Sequence, residues 1–239
     1  EMCIRDRYNV DGTFKHVPRS LVGAYKGYMT SNKLYSRSGV RPTVSQSTTS
    51  FDNFANARGQ GYQRIDFQQH CVIAFMLYAK YGNRNLQAVL GTGGAVSGSS
   101  ATMTGTSNST GITDTKNETS KYVCGLGLEG VFGGIYEWVK GVEINNRVWK
   151  ITDPDGSTRN VNAGTSDGWI TNVAAENGPF FDMVPTNVGG SETTHYSDYY
   201  YQNSGGPLVL ARSYHGSYAN GGVACAYASY DASSTYSYY

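Results

Sequence analysis

Cysteines, histidines and carboxylates are the side chains that most often carry chemistry, so their spacing comes first. Cys71, Cys124 and Cys225 lie far apart, with no C-x-x-C pair, and His16, His70, His195 and His215 are equally scattered. A zinc site needs clustered ligands, and a hydrolytic triad needs nucleophile, base and orienting carboxylate together; this spacing argues against both and against a disulfide framework. Such cysteine usage fits synthesis in a reducing compartment. The DPDG stretch at 153–156 starts like a calcium loop, but the later ligands of an EF-hand are missing. No paired-carboxylate motif occurs, and no metal or cofactor is expected. Asn108 and Asn117 stand in N-x-S/T sequons; without a sign of secretion they read as ordinary loop polarity.

The chemistry that the chain does concentrate is recognition. Of its 20 tyrosines, eleven lie between His195 and Tyr239, and the stretch 213–239, SYHGSYANGGVACAYASYDASSTYSYY, holds no Lys, Glu, Gln, Met or Trp. Tyr supplies large, rigid, amphipathic contact area at low entropic cost, and Ser, Gly and Asn supply adaptable hydrogen bonds, as in antibody loops. The V-A-C-A-Y-A run at 223–228 alternates as a strand with one face in a core does. A low-complexity tail would leave that alternation unexplained. Val223, Ala224, Ala226 and Ala228 are therefore expected to hold the fold. The interleaved Tyr214, His215, Ser217, Tyr218, Asn220, Tyr227, Ser229, Tyr230, Asp231, Tyr236, Tyr238 and Tyr239 are expected to face a ligand.

The rest of the chain must position that surface. At 239 residues and 39% hydrophobic it can bury a sizeable core as one or two domains. The longest apolar run, CVIAFMLYA, is about half of the roughly 18 residues a membrane helix needs. A net charge of +1, with Lys and Arg scattered, leaves no footprint for nucleic acid or anionic lipid. Residues 1–7, EMCIRDR, resemble the translated end of a sequencing adapter and are set aside with Cys3. STTSFDNFANARG predicts a short helix over about 48–58, with Ser and Thr as caps and Gly59 as stop. DFQQHCVIAFMLYAKYG predicts a stronger one, opened by an Asp66/Gln69 capping box and ended by Gly82. Being apolar nearly all round, it is expected at the centre of the domain. The stretch 91–111, GTGGAVSGSSATMTGTSNSTG, is too poor in apolar residues to pack and reads as an exposed loop. Short alternating runs follow, and RVWKITDPDGSTRNV carries the strand, turn and return strand of a hairpin.

GLEGVFGGIYEWV, residues 127–139, resembles the G-L-x-x-M-x-G-N-V-W-E-W element of formylglycine-generating-enzyme-like domains, a branch of the C-type lectin fold. It agrees at Gly127, Leu128, Gly133, Glu137 and Trp138, with Val131 for Met, Gly134 for Asn, Ile135 for Val and Tyr136 for Trp. GYQRIDFQQHCVIAFMLYA stands where that family has its y-R-L-P-T-E-a-E-W-E-y-A helix. The order of two helices, this element and a Tyr/Ser/Asn/Gly-rich end resembles the variable proteins of diversity-generating retroelements. Residues 38–82 in particular are similar to tail-tip proteins of gut phages. The resemblance covers about 17–239. It implies an α+β fold: a single C-type-lectin-like domain over 8–239, two helices packed on small twisted antiparallel sheets with long irregular loops, and 195–239 as the variable ligand-binding region. The sheet is expected to include 134–139 and 223–228. Glu137 and Trp138 read as scaffold, since a Trp or Tyr with an apolar body and a polar handle suits a domain's inner wall.

Retroelement mutagenesis, as the resemblance implies, randomises adenines of a copied template, so that AAC and AAT codons never yield Lys, Glu, Gln, Met or Trp. Every residue of 212–239 belongs to the reachable set. HYSDYYYQNSG, just ahead of GGPLVLA, resembles framework in the family, which ranks Tyr199, Tyr200 and Tyr201 below the other tyrosines as ligand contacts. Family members close with a strand begun by a G-x-R-like turn, and Tyr239 is reached without one, so truncation at both ends is expected.

Two functions are in play. One is a non-enzymatic binding protein at a phage tail-fibre tip, or on a bacterial cell surface, made in the bacterial cytoplasm. Its partner would be a host cell-surface receptor, protein or glycan, with a homotrimeric fibre raising avidity and no nucleic-acid or membrane insertion role. The alternative is a formylglycine-generating-enzyme-like oxidase that modifies sulfatases. Those enzymes use a pair of nearby cysteines late in the chain, whereas Cys225 stands alone in this C-terminal third. The calcium-dependent sugar-binding triplets E-P-N, Q-P-D and W-N-D are absent as well. Binding without catalysis is the expectation.

Overall fold

The computed structural model describes residues 5–8, 14–17, 20–93, 101–114, 122–176, 181–213 and 221–235, the first two stretches as backbone only. β1 (Arg5–Tyr8) pairs antiparallel with β2 (Phe14–Val17), a hairpin that takes in part of the segment set aside above. β3 (Gly27–Thr30) and β4 (Lys33–Ser36) form a second hairpin. Ser31 and Asn32, both at positive φ (48° and 56°), make the kind of two-residue turn whose twist matches paired strands.

The helices begin where capping chemistry puts them. α1 (Thr48–Asn56) is capped by Ser47, whose side chain accepts from the Ser50 amide. α2 (Phe67–Tyr81) has the complete capping box: the Asp66 side chain accepts from the Gln69 amide and the Gln69 side chain from the Asp66 amide. Gly82, at φ 59°, closes α2 in the left-handed conformation that a Cβ disfavours. A third helix, α3 (Leu86–Leu90), capped by Asn85, was not anticipated; at one turn it carries too little periodicity to be read.

β5 (Cys124–Gly125) and β6 (Leu128–Glu129) form a minimal pair. β7 (Glu137–Asn145), β8 (Val148–Thr152) and β9 (Thr158–Asn162) follow as a meander, and DPDG turns β8 into β9 as predicted. Asp153 there accepts from Gln68 Nε2 and Arg159 Nε, and Asp155 from the Ser157 amide and hydroxyl. These are turn-closing and packing bonds. β10 (Gly168–Val173), β11 (Pro185–Val188), β12 (Tyr199–Gln202), β13 (Leu208–Arg212) and β14 (Ala226–Tyr230) complete the described strands. Of the segments expected in the sheet, 134–139 and 223–228, only 137–139 and 226–228 are strand; the residues before each are irregular, with Gly134 at positive φ (84°).

The fold class is α+β, but the sheets are not small and not wholly antiparallel. Among the described residues, eight strands join in the order β11-β10-β12-β14-β13-β7-β8-β9, beside three two-stranded sheets. β14 inserts between β12 and β13 and runs parallel to β12, with Tyr200 opposite Ala226 and Tyr201 opposite Tyr227. On its other side it is antiparallel to β13. Parallel neighbours need a crossover between them; here the crossover contains β13 itself, and no local residue pattern announces it.

α2 buries Phe67, His70, Cys71, Ala74 and Leu77. They meet Ile144, Trp149, Ile151, Ile170, Tyr200 and Leu210 in the main core, which Val223, Ala224, Ala226 and Ala228 complete. Val72, Ile73, Phe75 and Met76 are only half-buried, so α2 covers one face of the sheet rather than lying at the centre. α1 and the β3–β4 hairpin cover part of the other face through Phe51, Phe54 and Leu34, packed with Tyr136, Trp138 and Ala211.

The stretch 91–111 is likewise not a simple exposed loop. Ala101, Thr104 and Ser107 are buried. The buried Glu129 carboxylate accepts from the Gly105 amide (2.7 Å), the Ser107 amide (3.0 Å) and the Ser107 hydroxyl. A polar segment packs here through charge-assisted hydrogen bonds, a route that counting apolar residues overlooks. Asn108, of the first sequon, is engaged with Tyr25 and Ser38; Asn117 lies outside the described residues.

Candidate functional site

Alternation along β14 sends Ala226 and Ala228 into the main core and turns Tyr227 to the opposite face. Register then sets a row across four strands: Tyr201 on β12, Tyr227 on β14, Ala211 on β13 and Trp138 on β7. Tyr201 and Tyr227 stack with centroids 5.0 Å apart and planes at 23°. The small Ala211 leaves room for Tyr227 to lean across β13 and meet Tyr136 at 5.2 Å. Tyr230 lies 5.8 Å from Tyr227 and meets Trp138 edge-on at 6.5 Å. Tyr136 and Trp138 are buried, and Trp138 donates its indole N–H to the Gln46 carbonyl (3.1 Å). Tyr201, Tyr227 and Tyr230 are half-buried. The result is a scaffold of two buried rings carrying three partly open ones.

Polar groups rim the rings. The Tyr201 hydroxyl donates to Asn203 Oδ1 (2.7 Å), and Asn203 Nδ2 donates to Ser229 Oγ (2.7 Å). Burial raises the Tyr227 phenol above its ordinary value, with Tyr230 adding to the shift, so the phenol stays protonated. Asp231 is exposed and accepts from the Ser233 hydroxyl (2.6 Å) and amide (2.8 Å), bonds that hold its carboxylate below the usual range.

Beneath the face, three buried side chains, Asp198, Arg212 and His70, grip the turn that enters β14, and a fourth, Gln87, supports Asp198. Asp198 Oδ2 accepts from the Ala224 amide and Oδ1 from Gln87 Nε2, both at 2.7 Å. The Val223 carbonyl accepts from Arg212 Nη1 (3.3 Å) and contacts His70 Nε2 (2.8 Å). Arg212 also donates to the Met183 carbonyl (2.8 Å), and its guanidinium lies 5.3 Å over the Phe67 ring. Burial, with the Arg212 charge second, drives His70 down to about 3. The neutral ring therefore donates its Nε2 proton to Val223. Burial pushes Asp198 up to about 7, against the hydrogen bonds from Ala224 and Gln87 and the Arg212 charge. Further along, the Ala232 carbonyl accepts from Thr48 Oγ1 (3.0 Å). All these partners in the C-terminal segment are main-chain atoms.

Of the residues expected at the ligand surface, Tyr227, Ser229, Tyr230 and Asp231 follow one another along β14 and its exit, the first three half-buried and the last exposed. Tyr214, His215, Ser217, Tyr218, Asn220, Tyr236, Tyr238 and Tyr239 lie outside the described residues. Tyr201 had been ranked as framework, yet it stacks on Tyr227. The period of two in YYYQ holds the missing signal, because only Tyr200 points into the main core. Tyr199 packs edge-on against Trp169, 5.3 Å away.

Cys225 and Cys71 are buried, and burial raises both thiols, as befits small core residues. Among the described residues, no group of three or more His, Cys, Asp or Glu is placed to hold a metal ion. No described helix is long and apolar enough to cross a membrane. Compared with known proteins, the chain matches no family model and no curated sequence.

Proposed function

We propose that this chain is a ligand-binding protein whose recognition surface is the aromatic face of β12 and β14, with Tyr201, Tyr227 and Tyr230 as anchors. In this reading the α+β body is a C-type-lectin-like scaffold of the formylglycine-generating-enzyme-like branch, the C-terminal segment is its variable surface, and the ligand is a receptor on a bacterial host cell. Display at a phage tail tip, on a homotrimeric fibre, belongs to the same proposal. The observation that carries it is the row of partly open tyrosines supported by the buried Tyr136 and Trp138. Interfaces draw most of their energy from a few such aromatic anchors.

The test is attachment of the labelled full chain to a panel of gut bacterial isolates, counted by cytometry. Tyr227→Ser combined with Tyr230→Ser is expected to abolish attachment while the variant keeps its circular dichroism spectrum. Undiminished attachment by the double variant would remove the face from the function. A parallel assay supplies a sulfatase-derived cysteine peptide; formylglycine formation that disappears in Cys225→Ser would replace the binding reading with the enzymatic one.

A further inference from the structure

A cleft of about 610 Å³ opens on the α2 side of the sheet, away from Tyr201, Tyr227 and Tyr230, where the end of α2, the turn into α3 and the 191–196 segment meet. That volume falls within the roughly 300–1,000 Å³ of small-ligand sites. Tyr78 forms part of its wall. The Tyr78 hydroxyl is out of reach of solvent, so the cleft meets the ring itself, which Tyr196 backs edge-on with centroids 5.5 Å apart. The Tyr196 hydroxyl donates to Glu176 Oε1 (2.7 Å), and Glu176 Oε2 accepts from Arg84 Nη1 (3.3 Å). The Arg84 guanidinium also lies 5.5 Å over the Tyr196 ring. One run of contacts thus fixes the aromatic wall and the cation relative to each other, while the Arg84 side chain stays 46% exposed.

The rim is rich in donors. Asn83 Oδ1 accepts from the Asn85 amide (2.8 Å), and Asn85 Oδ1 from the Ala88 amide (2.9 Å). With both side-chain oxygens turned to the main chain, what each asparagine offers the cleft is its NH2 group. The Leu86 amide is given to the Arg84 carbonyl, so recognition falls to the side chains. His195 also lines the cleft and is exposed. Its φ of 51° lies in the left-handed region that a Cβ disfavours, within a turn closed by the Ser197 amide on the Thr194 carbonyl (2.9 Å). Backbone held in that region beside a cleft marks a side chain that is being placed.

We propose that this cleft binds an acidic sugar residue, a pyranose ring carrying one carboxylate, as a second recognition site separate from the tyrosine face. The proposal does not rest on the functional reading above. The weakly positive C–H face of a sugar ring packs on the negative face of an aromatic ring, which is the part Tyr78 plays. A guanidinium fork matches the planar carboxylate, and amide NH2 groups serve its oxygens and the hydroxyls. Charge selects a singly charged ligand. Among the described residues, Arg84 is the only permanent cation lining the cleft, and Glu176 already shares it, which leaves too little positive charge for a phosphate dianion.

The experiment is an NMR titration of the isotope-labelled full chain with galacturonate, galactose and inorganic phosphate, followed at the Asn83 and Asn85 side-chain amides and across 82–88 and 193–196. Galacturonate is expected to shift these signals saturably. Galactose, with a hydroxymethyl group in place of the carboxylate, is expected to bind about tenfold more weakly, the loss of one charge-assisted hydrogen bond. Arg84→Gln is expected to erase that preference. His195→Gly, which suits a positive φ, is expected to keep the fold and weaken galacturonate binding. Equal affinity for galacturonate and galactose, phosphate binding as tight as galacturonate, shifts confined to other parts of the chain, or unchanged galacturonate affinity in Arg84→Gln would each overturn the proposal. If Arg84→Gln does not fold, the comparison of galacturonate with galactose on the wild type decides. Tri-galacturonate binding more tightly than the monomer identifies a polysaccharide as the source of the residue, and the reverse identifies a free acid; both support the assignment. The variant carrying Tyr227→Ser and Tyr230→Ser is expected to bind galacturonate unchanged, so failed attachment to bacteria and failed sugar binding are read separately. Loss of galacturonate binding in that variant would refute the separateness of the two sites.

Discussion

At the scale of single residues, the buried pair His70 and Asp198 makes opposite demands on pH. Asp198 has its folded value raised to about 7 from an ordinary 3.8. Its contribution to stability is therefore complete below about 3.8 and is lost as pH rises through 7. His70 has its folded value lowered to about 3 from 6.5, so its contribution is present above 6.5 and lost as pH falls toward 3. Between about pH 4 and 6.5 the two slopes oppose each other, at up to about 1.4 kcal/mol per pH unit each. Thermal melts should show Asp198→Asn losing stability as pH falls through that window and His70→Gln gaining it; parallel curves for the two variants would refute the assignment. Among the aromatic residues, Trp138→Ala should cost about 3–5 kcal/mol, because a buried ring leaves a cavity. Tyr227→Ser should cost only about 1–2 kcal/mol, more than a fully exposed tyrosine, since its ring packs on Tyr136 and Tyr201. Chemical denaturation of both variants checks the ranking. The roles of Ala226 and Ala228 were legible because small apolar residues at alternate strand positions have one economical use; Val223 and Ala224 are neighbours, both buried in the turn ahead of β14, and are held there through their main chain by His70, Arg212 and Asp198 rather than placed by alternation. Asp198 was not legible, because a buried acid looks like any other Asp until its donors, distant in sequence, are folded around it.

At the scale of elements, what could be read was what is local. The ends of α2 follow from Asp66, Gln69 and Gly82, and the β8–β9 hairpin from DPDG, since each signal lies within a few residues of its effect. The parallel pairing of β12 with β14 and the hydrogen-bonded packing of 101–107 depend on partners far along the chain and left no such mark. Two substitutions probe how elements fit each other. Gly222→Ala should destabilise the turn into β14, because the added Cβ overlaps the Asp198 carboxylate; since Asp198→Gly removes that overlap as well as the hydrogen bonds to Ala224 and Gln87, the losses in melting temperature of the two variants should be less than additive when combined. Ala211→Leu should cost about 1–3 kcal/mol by overpacking and separate Tyr227 from Tyr136, visible as lost contacts between the two rings in NMR spectra. Equal stability of Ala211→Leu and the wild type would show that the row across β13 is looser than described.

At the scale of the whole molecule, the sheet is graded from its middle outward. β12, β14, β13 and β7 lie inside it, while β9 and β11 form its edges. Hydrogen exchange should be slowest at β7 and β13 and fastest at β9 and β11, as opening free energy follows burial and pairing; fast exchange at β13 would contradict the strand order. The α+β class was readable from alternation and helical periodicity, but strand order was not, since it is a property of the folded chain as a whole. The grip on the C-terminal segment reaches further than the sheet. Ala224 offers its amide, and Val223 and Ala232 their carbonyls, to Asp198, Arg212, His70 and Thr48. Peptide groups are the same whatever side chains hang from them. A change of side chain at the outward positions of β14 consequently leaves these holds in place, and its cost is confined to the rings that meet on the face.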